Sequence, residues 1–169
     1  MTFKLPTRRF WVISLTLLGA VSAAGMGFQS RYRLGIDPQQ TLSMDARVFV
    51  VDIKDRKIER GKSYVFSVRN ASPVYEDGTE MVKRAVGLPG DVVRIDEYFS
   101  ITVNGRPVGQ GLWHLQNQDM RTVRERFTGT RVLGEDEYWM MGLSVKSFDS
   151  RYFGPVRSEQ IRGRAYGLL

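Results

Sequence analysis

The sequence has no cysteine and a single histidine, His114, held between Trp113 and Leu115. The first absence excludes disulfides, thiolate nucleophiles and cysteine metal sites. The second excludes a multi-histidine metal site, and a lone imidazole is more often a packed or surface side chain than a catalyst. No metal or cofactor is therefore expected, and hydrolytic chemistry has to run without a histidine base unless His114 happens to be placed for it. A concentrated basic tract is missing too: 25 Lys and Arg against 18 Asp and Glu give a net charge of +7, but they are scattered along the chain. Nucleic-acid binding is not expected from that distribution, whereas an anionic membrane surface accounts for it. No internal repeat is visible.

One long apolar run is present. "FWVISLTLLGAVSAAGMGF", Phe10 to Phe28, carries no charge over 19 residues. At 1.5 Å per helical residue it rises roughly 28 Å, close to the hydrocarbon thickness of a bilayer. Lys4, Arg8 and Arg9 precede it and Arg31 and Arg33 follow it, a slight bias toward a cytoplasmic amino terminus. The expected layout is a short cytoplasmic tail (1–9), a transmembrane anchor (10–28), a polar connector (29–40) and a β-rich domain (41–169). That domain would lie on the periplasmic side of an inner (cytoplasmic) membrane crossed once. Val21-Ser22-Ala23 also has the small-residue pattern of a cleaved secretory signal, but the apolar stretch continues to Phe28 and favours a retained anchor. The chain length of 169 residues suits one globular domain with a real core.

The body reads as mainly β. Short runs with strand character span Val48 to Ile53, Tyr64 to Val68, Met81 to Val86, Val92 to Ile95, Phe99 to Val103, Glu137 to Met141 and Gly163 to Leu168. Asn104-Gly105 between "SITV" and "RPV" is a two-residue hairpin signal, since both turn positions need positive φ. "GLPGD" at 87–91 marks another tight turn. No sustained helical period is seen outside the anchor. Residues 109–129 are polar and long for a connection, so an insertion with local structure or a mobile flap is expected there.

With cysteine absent and histidine nearly so, a neutral lysine amine is the remaining way to activate a serine. Burial against apolar surface can lower a lysine pKa by several units and make it a general base near neutrality. Ser43, in "TLSMDARVFVVDI", precedes a strand; Lys83, in "EMVKRAVGLPGD", would share a strand face with Met81 and Ala85. In "SFDSRYFGPV", Ser147, Asp149 and Arg151 alternate, and on an extended chain they would share one face. Taken singly, each of these also fits a turn hydroxyl, a solvated lysine or a surface ion pair.

Taken together, "LSM" (42–44), "VKRAVGLPGD" (82–91) and "SFDSRYFGPV" (147–156) resemble, in order, the blocks of the type I signal peptidase family. "ERGKSYVFSV" (59–68) is similar to its intervening block, with Arg60-Gly61-Lys62 where Arg-Gly-Asp is usual. The resemblance implies a signal-peptidase-like β catalytic domain behind one transmembrane helix, acting as a serine endopeptidase with a Ser/Lys dyad. By that resemblance Ser43 is the nucleophile and Lys83 the general base. Ser147 orients the lysine, Asp149 and Arg151 are the supporting pair, and Thr41 joins the Ser43 N–H in the oxyanion hole. The implied partner is a membrane-tethered precursor, beside membrane lipid. Short length, "DARVFVVD" and "SFDSRYFGPV" look more like the conjugative-transfer, TraF-type branch that matures prepilin than like a housekeeping signal peptidase. The departures are Asp45-Ala46, where a proline usually follows Ser-Met, and Gly142-Leu143 where Gly-Asp is usual. A non-enzymatic membrane-anchored scaffold of a transfer apparatus remains the rival expectation.

Overall fold

The computed structural model describes residues 7–37 and 43–168. Thr41 lies outside the described residues.

Helix α1, Arg8–Gln29, is capped by Thr7, whose hydroxyl accepts from the Phe10 N–H, and none of its 22 residues is buried. It is long and apolar enough to cross a membrane. After it come β1 (Tyr32–Ile36), β2 (Val48–Asp52), β3 (Ser63–Ser67), β4 (Glu80–Gly87), β5 (Val92–Ile95), β6 (Ser100–Val103) and β7 (Arg106–Gln110). The chain continues through α2 (Met120–Phe127), β8 (Gly129–Val132), β9 (Glu137–Met141), α3 (Ser150–Phe153), β10 (Val156–Arg157) and β11 (Ile161–Gly167). The fold is mainly β. A seven-stranded sheet runs β1-β2-β11-β3-β4-β9-β10, and a four-stranded one runs β7-β6-β5-β8.

Alternation decides which side chains are buried. Along β4, Met81, Lys83, Ala85 and Gly87 are buried while Val82, Arg84 and Val86 are half-buried. Met81 and Ala85 belong to a cluster with Tyr64, Phe66 and Met140. Val82 packs instead against Met44, Phe49, Val51 and Val65. The four-stranded sheet lays Val93, Ile95, Ile101 and Val103 on Leu133, Trp139 and Met141. Gly87 is required where the two sheets meet, because a Cβ there would stand 2.7 Å from the Trp139 Cβ.

Most strands fall where hydrophobic patterning puts them, and β6 turns into β7 through Asn104 and Gly105, both at positive φ (50° and 75°). Two expectations need correction, and a third gains detail. The connector, 29–40, contains β1, paired antiparallel with β2 from Tyr32↔Asp52 to Ile36↔Val48. Segment 109–129 contains helix α2, capped by Asp119, whose carboxylate accepts from the Thr122 N–H; it buries Val123 alone. Residues 147–151 are not one extended run: Asp149, itself extended, caps α3, and Ser150 and Arg151 are already helical.

Candidate active site

Ser43 and Lys83 are separated by 40 positions in sequence and meet in space. Lys83 Nζ donates to Ser43 Oγ at 2.8 Å, and both residues are 4% exposed. Met44 and Ala46, buried beside Phe49 and Val51, fasten the serine segment to the sheet. The Ser43 carbonyl accepts the Leu143 N–H at 2.7 Å, which ties that segment to the chain leaving β9. Where a proline was expected, Asp45 reaches Arg84 at 3.4 Å, so the residues two past the serine and one past the lysine form a second bond between the same two segments.

Burial sets the chemistry of the amine. Desolvation pulls the Lys83 pKa from 10.5 to about 8, with Asp149 and Asp37 pulling it back up and Arg151 pushing it further down. About one amine in ten is then neutral at pH 7, against roughly one in three thousand for an ordinary lysine.

Asp149 and Arg151 form a buried bidentate pair: Arg151 Nε donates to Oδ1 at 2.7 Å and Nη2 to Oδ2 at 2.8 Å. They do so without a continuous extended run, because the α3 cap turns both side chains inward. Asp149 Oδ2 also accepts the Gly142 N–H at 2.9 Å. Arg151 spends its remaining donors on carbonyls of Gln110, Gly111, Ser144, Val145 and Ser147. One guanidinium thus binds the end of β7 to the whole 144–147 loop.

Ser147 is 2% exposed, and its hydroxyl has no hydrogen-bond partner among the described residues; the bond to Lys83 that the resemblance implies is not formed in this structure. Gly142 explains how close these groups are. A Cβ there would overlap the Ser147 hydroxyl and stand 2.8 Å from the Ser43 carbonyl oxygen, so only glycine lets the two serine segments touch. Removing an unpaired buried hydroxyl relieves a desolvation cost of about 1 kcal/mol or more. Ser147→Ala should therefore leave the melting temperature unchanged or higher, while a hydroxyl that turns to Lys83 during turnover makes the same variant slower. Thermal melts and turnover measured on one preparation separate the two effects.

The polar and ring contacts of His114 lie with the 146–152 segment and not with Ser43 or Lys83. Its Nε2 lies 2.9 Å from the Lys146 carbonyl, and its ring packs edge-on against Phe148 and Tyr152. No group of three or more His, Asp or Glu suited to a metal ion occurs among the described residues.

The specific block 82–91 is only partly about the site. Beyond Lys83 it closes a structural knot, in which Asp91 accepts from the Leu88 N–H (2.6 Å), Arg60 Nη2 (2.7 Å) and Asn104 Nδ2 (2.7 Å). Burial works against its charge, but these bonds hold the Asp91 carboxyl below the usual carboxylate range.

Ser43 and Lys83 open into a cavity of about 600 Å³ whose other walls come from β1, β2, β3, β4 and β11, among them Gly35, Phe49, Val51 and Met81. Sequence reasoning missed this wall because β1 was read as connector.

A family model described as "Signal peptidase, peptidase S26" matches residues 7–168. The chain is 28% identical to "Probable signal peptidase I-2" of Synechocystis over 82% of its own length and 61% of that protein. It is 34% identical to "Signal peptidase I V" of Bacillus subtilis over 52% of its length and 56% of that protein. The alignments thus span somewhat over half of each relative. A signal peptidase I from Enterococcus faecalis, solved by crystallography, aligns with 65% of this chain and 97% of its own at 24% identity and a TM-score of 0.40. With every described residue inside the matched range, the chain belongs to the signal peptidase family, peptidase S26.

Proposed function

We propose that this protein is a membrane-anchored serine endopeptidase that removes leader segments from exported precursors, with Ser43 as nucleophile and Lys83 as general base. The observation that carries the reading is the 2.8 Å contact between the serine hydroxyl and a desolvated amine. In the neutral state Lys83 Nζ takes the Ser43 proton as Oγ bonds to the scissile carbonyl carbon. The Ser43 N–H and the Thr41 hydroxyl stabilise the oxyanion. The lysine then passes its proton to the departing amine, and a water molecule hydrolyses the acyl-enzyme. Asp149 and Arg151 hold the loop bearing Ser147 against the pair. Helix α1 keeps the enzyme beside substrates tethered in the same bilayer, which raises their effective concentration.

Within the family we assign the chain to the conjugative-transfer branch, with a prepilin as substrate, on the strength of "DARVFVVD" and "SFDSRYFGPV". Co-expression with a candidate prepilin tests both levels. Wild type should shorten it and Ser43→Ala should not; processing by Ser43→Ala would return the protein to the scaffold reading. Cleavage of ordinary secretory precursors but of no prepilin would remove the branch assignment alone. For the purified enzyme, kcat/KM should rise with pH through about 8, as the amine loses its proton, and level off above it. His114→Phe should leave that limb in place.

A further inference from the structure

We propose that Arg33, Arg56 and Arg162 form a subsite for an acidic side chain of the bound peptide, about four residues from the bond that Ser43 attacks. This deepens the peptidase reading and rests on it. All three arginines line the same cavity as Ser43 and Lys83.

The pairing pattern gathers them around Ile53. Arg33 lies opposite Val51, two residues before Ile53 on the neighbouring strand. Arg56 Nε donates to the Ile53 carbonyl at 3.3 Å. Gly163 approaches so closely that a Cβ on it would stand 2.9 Å from the Ile53 Cα, which sets Arg162 alongside. Arg162 Nε is steadied by Ser67 Oγ at 2.8 Å. None of the three forms an ion pair among the described residues, although nine other arginines do. Glu80, opposite Ser67, brings one negative charge to this end and leaves it with a surplus of positive charge.

Distance from the nucleophile follows from β1. Asp37, at its end, stands close enough to Lys83 for its charge to act on the amine. Arg33 is four residues back along an extended chain, roughly 13 Å. Between them the cavity presents Gly35, Phe49, Val51 and Val65. An extended peptide crosses that apolar stretch and delivers its fourth residue to the guanidinium groups. A carboxylate there meets planar donors suited to bidentate pairing, whereas a lysine or arginine is repelled. A phospholipid headgroup has the same charge, but it would approach from the rim and not through the apolar stretch leading from Ser43.

Peptide binding to the detergent-solubilised, full-length Ser43→Ala protein tests this without requiring turnover. The probes are fluorescent peptides with a small-residue cleavage motif and Glu, Gln or Lys at each successive position along the groove. Glu should bind about five- to tenfold more tightly than Gln at one position near the fourth, and the preference should shrink in high salt. In the Arg33→Gln, Arg56→Gln, Arg162→Gln triple variant the ratio of Glu to Gln affinity should fall to about one, with a cooperative thermal melt retained. No Glu preference at any position, or one that survives in the triple variant, overturns the proposal. So does a triple variant that loses only its binding to phosphatidylserine vesicles, which would assign the arginines to the lipid surface. A clear Glu preference in a protein whose wild type cleaves none of the peptides upholds the subsite and counts against the peptidase reading alone.

Discussion

Lys83→Met should abolish precursor cleavage, by about a thousandfold or more, and at the same time make the protein more stable at pH 7. Both effects come from one buried amine. Its folded pKa of about 8 against the ordinary 10.5 means that, below pH 8, both states carry the proton and the folded state bears the full cost of a desolvated charge. That cost is on the order of 3 kcal/mol, and losing the bond to Ser43 returns about 1 of it, leaving a gain on the order of 2 kcal/mol for the thioether. Between pH 8 and 10.5 the folded protein has released a proton that the unfolded chain still holds, so wild type gains stability with rising pH while Lys83→Met does not. The difference in denaturation midpoint should therefore be largest at neutral pH and close toward pH 10.5. A variant that is inactive but no more stable at pH 7 would mean that the amine is solvated, and the general-base assignment would lose its physical basis.

Arg151→Met is expected to cost about 3–5 kcal/mol, because it leaves the Asp149 carboxylate buried without its counter-charge and strips five backbone carbonyls of a donor. Such a loss is a large part of a domain's whole stability, so folding at 37 °C should fail and the variant is best studied cold. Combining it with Asp149→Asn should restore part of the loss, since the stranded charge is gone. The site should respond as well. Arg151 holds the Lys83 pKa down and Asp149 holds it up, so Arg151→Met alone should move the acidic limb of the pH–rate profile to higher pH. A limb that stays near pH 8 while stability collapses would confine the pair to a structural role.

Legibility from sequence followed how strongly each residue's pattern was tied to one environment. The strand bounds Val92–Ile95 and Glu137–Met141 were readable to the residue, because apolar alternation and flanking turns agree there. The alternation around Lys83 was readable for the same reason, and burial follows it position by position. Strand β1 was not: Tyr32, Arg33, Leu34, Gly35 and Ile36 mix charge, glycine and exposed aliphatics, since this edge strand lines a cavity and packs no core. Helix α2 escaped because one buried valine in eight residues makes no period. Alternation misled at Ser147, Asp149 and Arg151: they do converge, but through a helix cap that a period of two cannot represent. Gly142 matched the glycine of the family's Gly-Asp, but its physical requirement was not legible, because it comes from two serine segments distant in the chain.

Under the proposed anchoring, the junction between α1 and β1 would also work as a ruler. Only Ser30 and Arg31 separate the apolar helix from the first strand, and Arg31 is locked onto Asp52 by bonds of 2.9 and 2.6 Å. If the helix is anchored in a bilayer as proposed, so short a junction would hold the groove at a set elevation above the headgroups. A substrate anchored in the same bilayer then presents to Ser43 only those bonds that lie at the matching height. The position of a cut would be measured from the membrane before any side chain is read.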